Sequence, residues 1–216
     1  MFRYDNAFFQ FLGKITDYIF ASVLWLICCI PVVTIGASTS ALYYTVHKAL
    51  KGERGYVWRC FWYAFRTNLK CTVGPSIIYV VAFLFLVVDK KMFYAILTQG
   101  SKLGMFYYIF YFLQLYLVGA AIVTFAFVAR FTCTWKEAFQ KGLILSIANF
   151  PWLLVIIVLA VAVAVIFVYS PIVLGILPAL VCWVYDWILE RIFRKLMTPE
   201  ELAEDIALRQ GPSAGE

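Results

Sequence analysis

Residues 26–70 read LICCIPVVTIGASTSALYYTVHKALKGERGYVWRCFWYAFRTNLK, and the way this stretch lies relative to a bilayer decides the order of everything after it. It leaves an apolar run at Pro31, passes through small and hydroxyl side chains (Thr34, Gly36, Ala37, Ser38, Thr39, Ser40) and ends in a basic, aromatic segment. As a helix rising about 1.5 Å per residue, residues 32–50 extend roughly 28 Å, just enough to cross a hydrocarbon core of about 30 Å. The segment is either a short polar crossing or a re-entrant or interfacial helix.

The rest of the chain makes a bilayer its solvent. Of 216 residues, 64% are hydrophobic, 19% aromatic and only 14% charged, with mean hydropathy +0.88. That leaves too little polar surface to cover a soluble domain of this size. A net charge of +6 would suggest nucleic acid in a soluble protein. Here the basic residues sit between apolar spans, where the positive-inside rule accounts for them. No nucleic-acid partner is expected. The six cysteines (Cys28, Cys29, Cys60, Cys71, Cys133, Cys182) form no CxxC and have no histidine at metal-ligand spacing, so each is expected to be reduced and packed. No cofactor or metal is expected.

Working outward, residues 1–14 are a short aromatic segment, and the first apolar span covers 15–30. A cleaved signal peptide is the rival reading, since IGAS at 35–38 places small residues after an apolar run. The run stays apolar well past a usual signal core, which favours retention in the mature protein. After the 32–50 segment, KGERG at 51–55 brackets charges with Gly52 and Gly55 and reads as a cytoplasmic turn. Residues 57–70 then show a clear helical pattern: Trp58, Phe61, Trp62, Phe65 and Leu69 on one face, Arg59, Tyr63, Arg66 and Lys70 on the other. Such a helix lies at the membrane interface, aromatics among the headgroups and cations toward anionic lipid, or packs on the protein's own cytoplasmic end.

Further spans are expected at 72–88, with Pro75 in the first turn, at 105–129, at 152–169 behind Asn149 and Pro151, and at 172–189, where Pro178 would kink the helix. An outside loop would join residues 89–104. If 32–50 crosses, six spans put fifteen of the eighteen Lys and Arg on the side of both termini and leave only Lys90, Lys91 and Lys102 opposite; if it does not, the split is thirteen to five. The first arrangement fits the positive-inside rule better. The expected fold is therefore an all-α, polytopic membrane bundle of six spans, five being the alternative, with a cytoplasmic amphipathic helix. Residues 1–192 form the membrane domain and 193–216 a cytoplasmic tail, whose Thr198, Pro199 and Glu201 would cap a short helix.

The motif IPVVTIGASTSALYY, followed by HKALKGERGY and FWYAFRTNLK, resembles the YesL family of bacterial membrane proteins, a domain of unknown function. The resemblance runs from about Asn6 to Leu189, with the specific motifs confined to residues 30–70. It implies a five- or six-helix membrane protein, often encoded beside carbohydrate ABC transporters, and it carries no catalytic or binding residues. Pro31, Thr34, Gly36, Gly52, Gly55 and Asn68 are read as structural positions of this block. Pro31 ends the first span, and Gly36 permits close backbone contact.

No HExxH, GxSxG, P-loop or dinucleotide pattern occurs. Asp17 and Asp186 stand near span ends, where interfacial exposure is the expectation, and His47, the single histidine, is expected to be solvated. An enzyme is not expected. Two functions remain: an accessory protein of the lipid bilayer working with a carbohydrate ABC transporter permease, a sensor or another membrane protein, or a small membrane transporter. The second is motivated by a faint repeat (Asn68 with Pro75, Asn149 with Pro151) and by polar groups at depth: Thr34, Ser38, Thr39, Ser40, Thr45, Gln114 and Thr124.

Overall fold

Small side chains in residues 35–45 let a short helix sit where a larger one could not, and the rest of the molecule is arranged about it. The computed structural model describes residues 7–51, 56–99, 102–131, 133–169 and 177–194. Among these, all regular structure is helical. Helix α1 (Ala7–Cys29) is followed by a 3₁₀ turn (Val32–Thr34), α2 (Ile35–Thr45) and a π-helical turn (Val46–Lys51). Then come α3 (Val57–Thr98), α4 (Phe106–Arg130), α5 (Trp135–Ala148), α6 (Phe150–Tyr169) and α7 (Leu177–Phe193).

Although α2 has only 11 residues, it packs against α1, α3, α4 and α7 and is buried on nearly every side. Close approach makes this possible. A Cβ on Gly36 would overlap Ser76 Oγ of α3 and come within 2.5 Å of a ring carbon of Phe125 on α4. Most polar atoms of the segment are satisfied within it or by its neighbours, the buried Ser38 Oγ being an exception among the described residues. Thr39, Ser40 and Thr45 donate to the carbonyls of Ile35, Ala37 and Ala41, and Asn68 of α3 donates to Ser40 Oγ at 3.4 Å. Pro31, in extended backbone, stops α1. The Thr34 hydroxyl, 2.7 Å from both the Cys28 and the Pro31 carbonyl, then serves helix-end acceptors that have no helical partner. Helices α1 and α2 form an antiparallel hairpin, pinned where Trp25 Nε1 donates to Thr39 Oγ1 at 3.4 Å.

The largest departure from the sequence expectation is α3. The amphipathic segment 57–70, the span 72–88 and much of the expected loop 89–104 form one helix of 42 residues, about 63 Å long. Pro75 thus lies inside a helix and not in a first turn; it is buried. On either side of it, Thr72 and Ser76 hydroxyls donate to the carbonyls of Asn68 and Thr72 at 2.8 and 2.7 Å. What changes near residue 70 is the helix's surroundings, not its backbone. An abrupt shift from amphipathic to uniformly apolar periodicity therefore mimics an element boundary.

Helix α4 runs back along α3. Tyr79 Oη and Thr124 Oγ1 are 2.8 Å apart, Lys90 Nζ donates to Gln114 Oε1 at 2.8 Å, and Phe93 stacks on Phe110. A capping box of Thr134 and Glu137 starts α5, which lies on α3 and α4 and meets α6 at 100°. Pro178 stands near the start of the described part of α7, and the expected kink there falls at the edge of the described residues. The nearby Ala179 N–H donates to Ser22 Oγ of α1 at 3.2 Å. Among the described residues, two helical stretches, Val57–Thr98 and Lys102–Arg130, are long and apolar enough to cross a membrane, or three if the bent α5–α6 pair counts as one. Gly52, Gly55 and the expected C-terminal helix lie outside the described residues.

Gly36→Leu should lower the monodisperse, folded yield in detergent several-fold. Overpacking of this kind costs about 1–3 kcal/mol, and the Ser76 and Phe125 side chains fill the space. Size-exclusion chromatography of membrane extracts reads the result; an undiminished yield would contradict the close contact.

Candidate functional site

Asp186 and Glu190 stand one helical turn apart on α7, on the stripe of Cys182, Tyr185, Leu189 and Phe193 that faces the core. Residues at i and i+4 share a face, so the packing that buries the apolar stripe carries both carboxylates inward. Asp186 is fully buried and Glu190 is 3% exposed. Two other elements meet them there. The π-helical turn after α2 presents His47, and the last residue of α4 is Arg130.

The four side chains form one network. His47 Nδ1–H donates to Asp186 Oδ1 at 2.7 Å and lies 3.6 Å from Glu190 Oε1. Arg130 grips Glu190 from the opposite side. Its Nε makes an ion-pair contact of 2.8 Å with Oε1, and Nη2 donates to Oε2 at 3.3 Å. The Tyr43 hydroxyl donates to the same Oε1 at 3.4 Å, and the Tyr43 ring stacks on the His47 imidazole. Below this lies an aromatic floor in which Phe193 meets Tyr43, Phe127 and Phe131 edge-on. Buried carboxylates are tolerable only when paired and hydrogen-bonded, and three helices supply the partners.

The arrangement can hold charge, hold a proton, or hold a cation: the ligand atoms of His47, Asp186 and Glu190 all lie within 4.8 Å of one another. Arg130 also lines a cavity of about 270 Å³ with Tyr44, Tyr63, Asn68, Cys71 and Cys133, so the network abuts a cleft between α3 and α4. In that cleft the Cys71 thiol donates to the Cys133 carbonyl at 2.9 Å. Burial pushes the Cys133 thiol up to about 11, which keeps it protonated and unreactive at neutral pH.

These positions correct the sequence expectation. Asp186 is not interfacially exposed, and His47, its side chain 14% exposed, is paired with Asp186 and not simply solvated. A residue near a helix end is exposed only if its face is. The helical wheel of α7 places Asp186 and Glu190 with the apolar residues, a signal that nearness to the span end concealed. Glu190, Arg130 and Tyr43 were not singled out at all.

The residues the sequence did single out gather elsewhere. Thr34 bonds the Cys28 and Pro31 carbonyls at the α1–α2 junction, Gly36 abuts α3 and α4, and Asn68 of α3 donates to Ser40 of α2. Of the amphipathic set on α3, Phe61 is buried, Trp62 and Phe65 are half-buried, and Trp58, Arg59, Arg66 and Lys70 are exposed. Trp58, Trp62 and Phe65 stack in series, with Arg66 over Trp62 at 5.2 Å, and Phe20 of α1 leans on Trp58. Part of this face packs on the protein itself. A cavity of about 290 Å³ lies beside it, lined by Tyr44, Lys48, Arg59, Cys60 and Tyr63.

Arg130→Met removes the guanidinium from a buried Glu190 and should cost roughly 3–5 kcal/mol. The double variant Arg130→Met with Glu190→Met should recover most of that loss, because paired replacement of a buried ion pair by apolar groups is near neutral. Thermal unfolding of the purified variants distinguishes the two; equal destabilisation in both would show that the ion pair is not what the fold needs.

Comparison with known proteins adds one match. A family described as "Protein of unknown function, DUF624" covers residues 18–90, less than half of the chain; this stretch holds most of α1, all of α2 and most of α3. No curated protein and no solved structure matches. The matched segment includes Tyr43 and His47 but ends before Arg130, Asp186 and Glu190.

Proposed function

We propose that this chain is a non-catalytic, multi-pass protein of the cell membrane, of the YesL type, that serves as an accessory component of carbohydrate uptake and works beside an ABC permease. The observation that carries the accessory reading is the fate of the polar groups at depth. The hydroxyls of Thr39, Ser40, Thr45 and Thr124 are bonded to carbonyls of their own helices, and Gln114 is held by Lys90. The cavities flanking α2 are apolar. One, of about 420 Å³, is walled by residues such as Val80, Phe83 and Leu117; the other, of about 440 Å³, by residues such as Leu26, Ala160 and Val181. A solute route would need several polar groups left free to replace hydration; those named are engaged within the protein, and of the α2 hydroxyls Ser38 Oγ alone lacks a hydrogen-bond partner among the described residues.

The six-span arrangement with both termini cytoplasmic is part of the same proposal. The antiparallel α1–α2 hairpin supports it, since a chain that turns back at Pro31 returns residue 51 to the side on which α1 began. The carbohydrate association rests on the resemblance of residues 30–70 to YesL proteins. A transporter is the second reading. It is favoured by one observation, the buried His47–Asp186–Glu190–Arg130 network, because ionisable groups inside membrane proteins commonly serve ion or proton movement.

Two measurements test this. Purified protein in liposomes should show no sugar- or ion-dependent flux, while crosslinking in native membranes should recover an ABC permease; flux without a partner would establish the transport reading instead. Single cysteines at Arg3, Arg54 and Gln210 in a cysteine-free background should be labelled only from the cytoplasmic side, and one at Lys102 only from outside. External labelling of Arg3 would remove the six-span topology.

A further inference from the structure

We propose that His47, Asp186 and Glu190 form a binding site for a divalent transition-metal ion of the zinc class, with Arg130 as a positioning residue. The three donors come from two separate segments, the turn after α2 and the helix α7, and converge on one point. Their spacings from His47 Nδ1, 2.7 Å to Asp186 Oδ1 and 3.6 Å to Glu190 Oε1, bracket the edge of roughly 3.4 Å that tetrahedral bonds of about 2.0–2.1 Å would give. Widening the His47–Asp186 spacing by about 0.7 Å and closing the His47–Glu190 spacing by about 0.2 Å would bring both to that edge. On binding, the imidazole proton shifts from Nδ1 to Nε2, the freed Nδ1 lone pair and one oxygen from each carboxylate become ligands, and water takes the fourth position.

Two further features point the same way. The fork of Arg130 on Glu190 holds that carboxylate's orientation as an outer partner holds a metal ligand, and the ion would displace the long Tyr43 hydrogen bond to Oε1. The π-helical turn Val46–Lys51 carries His47 onto α7, and such local widening of a helix recurs at functional sites. One imidazole with two carboxylates suits Zn²⁺. Ca²⁺ and Mg²⁺ favour all-oxygen shells, from which the imidazole nitrogen departs. The ion would clamp α2 to α7, and it would do so whether the protein is an accessory subunit or a transporter.

The test uses the full-length, tag-free protein in detergent, stripped with chelator and titrated with ZnCl₂. One Zn²⁺ per chain should bind, and at a hundredfold excess over Kd the unfolding midpoint should rise by about 5–10 °C. Asp186→Asn and His47→Gln should each weaken binding by at least about 100-fold and Arg130→Lys by about 10- to 100-fold, whereas Asp17→Asn should leave it unchanged. Should the ligand variants fail to fold, Co²⁺ added to the stripped wild-type protein decides the matter: visible bands of a four-coordinate nitrogen and oxygen site support the proposal, and their absence overturns it. Zn²⁺ binding that survives in folded Asp186→Asn and His47→Gln proteins, or no stoichiometric binding by the wild type, also overturns it.

Discussion

A polar atom taken into an apolar interior must find its partner there, and this constraint governs the centre of the molecule. The α2 segment carries five hydroxyls in its run from Thr34 to Thr45, besides tyrosines, yet it is the most enclosed helix. It can be so because four of the five, Thr34, Thr39, Ser40 and Thr45, bond to nearby backbone carbonyls, which a serine or threonine can do without leaving helical geometry, while Ser38 Oγ is buried without a hydrogen-bond partner among the described residues. Small size is the complementary requirement. Gly36, Ala37, Ser38, Ser40 and Ala41 allow α3 and α4 to approach until side chains of those helices fill the space a Cβ would take. In a bilayer, where burial against a neighbouring helix gains little over burial in lipid, such close packing is a main source of association energy.

The same constraint shapes the far end of α2, with charges in place of hydroxyls. Asp186 and Glu190 could have been left in water at the end of α7, but the face they occupy is the face that packs. Their partners come from the two elements nearest, His47 and Arg130. Removal of one member therefore costs more than removal of a pair, and the network fixes how α2, α4 and α7 are rotated about their own axes. A hydrocarbon seam would stabilise as well but would tolerate slippage; directional bonds to Oε1 and Oδ1 do not.

Much of this was legible from the residues. The composition pointed to helices long and apolar enough to cross a membrane, which α3 and α4 are, and the helices α4 and α6 fall within a residue or two of the apolar stretches 105–129 and 152–169. Pro31 as a stop and Gly36 as a point of contact follow directly from what proline and glycine lack. Two kinds of information were not legible. One is continuity: nothing in residues 57–98 distinguishes a break at Lys70 from a change of environment along one helix, because periodicity records surroundings and not backbone. The other is depth. Asp186 and His47 lie near segment ends, and a one-dimensional reading takes position along the chain for distance from water, whereas burial is decided by the azimuth of each side chain around its axis.

Helix α3 has a mechanical meaning. A continuous α-helix, even with Pro75 removing one backbone hydrogen bond, resists bending more than a pair of helices joined by a loop, so its first turns, with Trp58, Arg59 and Arg66, and its later ones, with Lys90 and Phe93, belong to one lever. A tilt of about 5° at one end of a rod some 63 Å long displaces the other by about 5 Å. Whatever grips the basic aromatic end is thereby felt at the far end of α3 and at the helices packed along it.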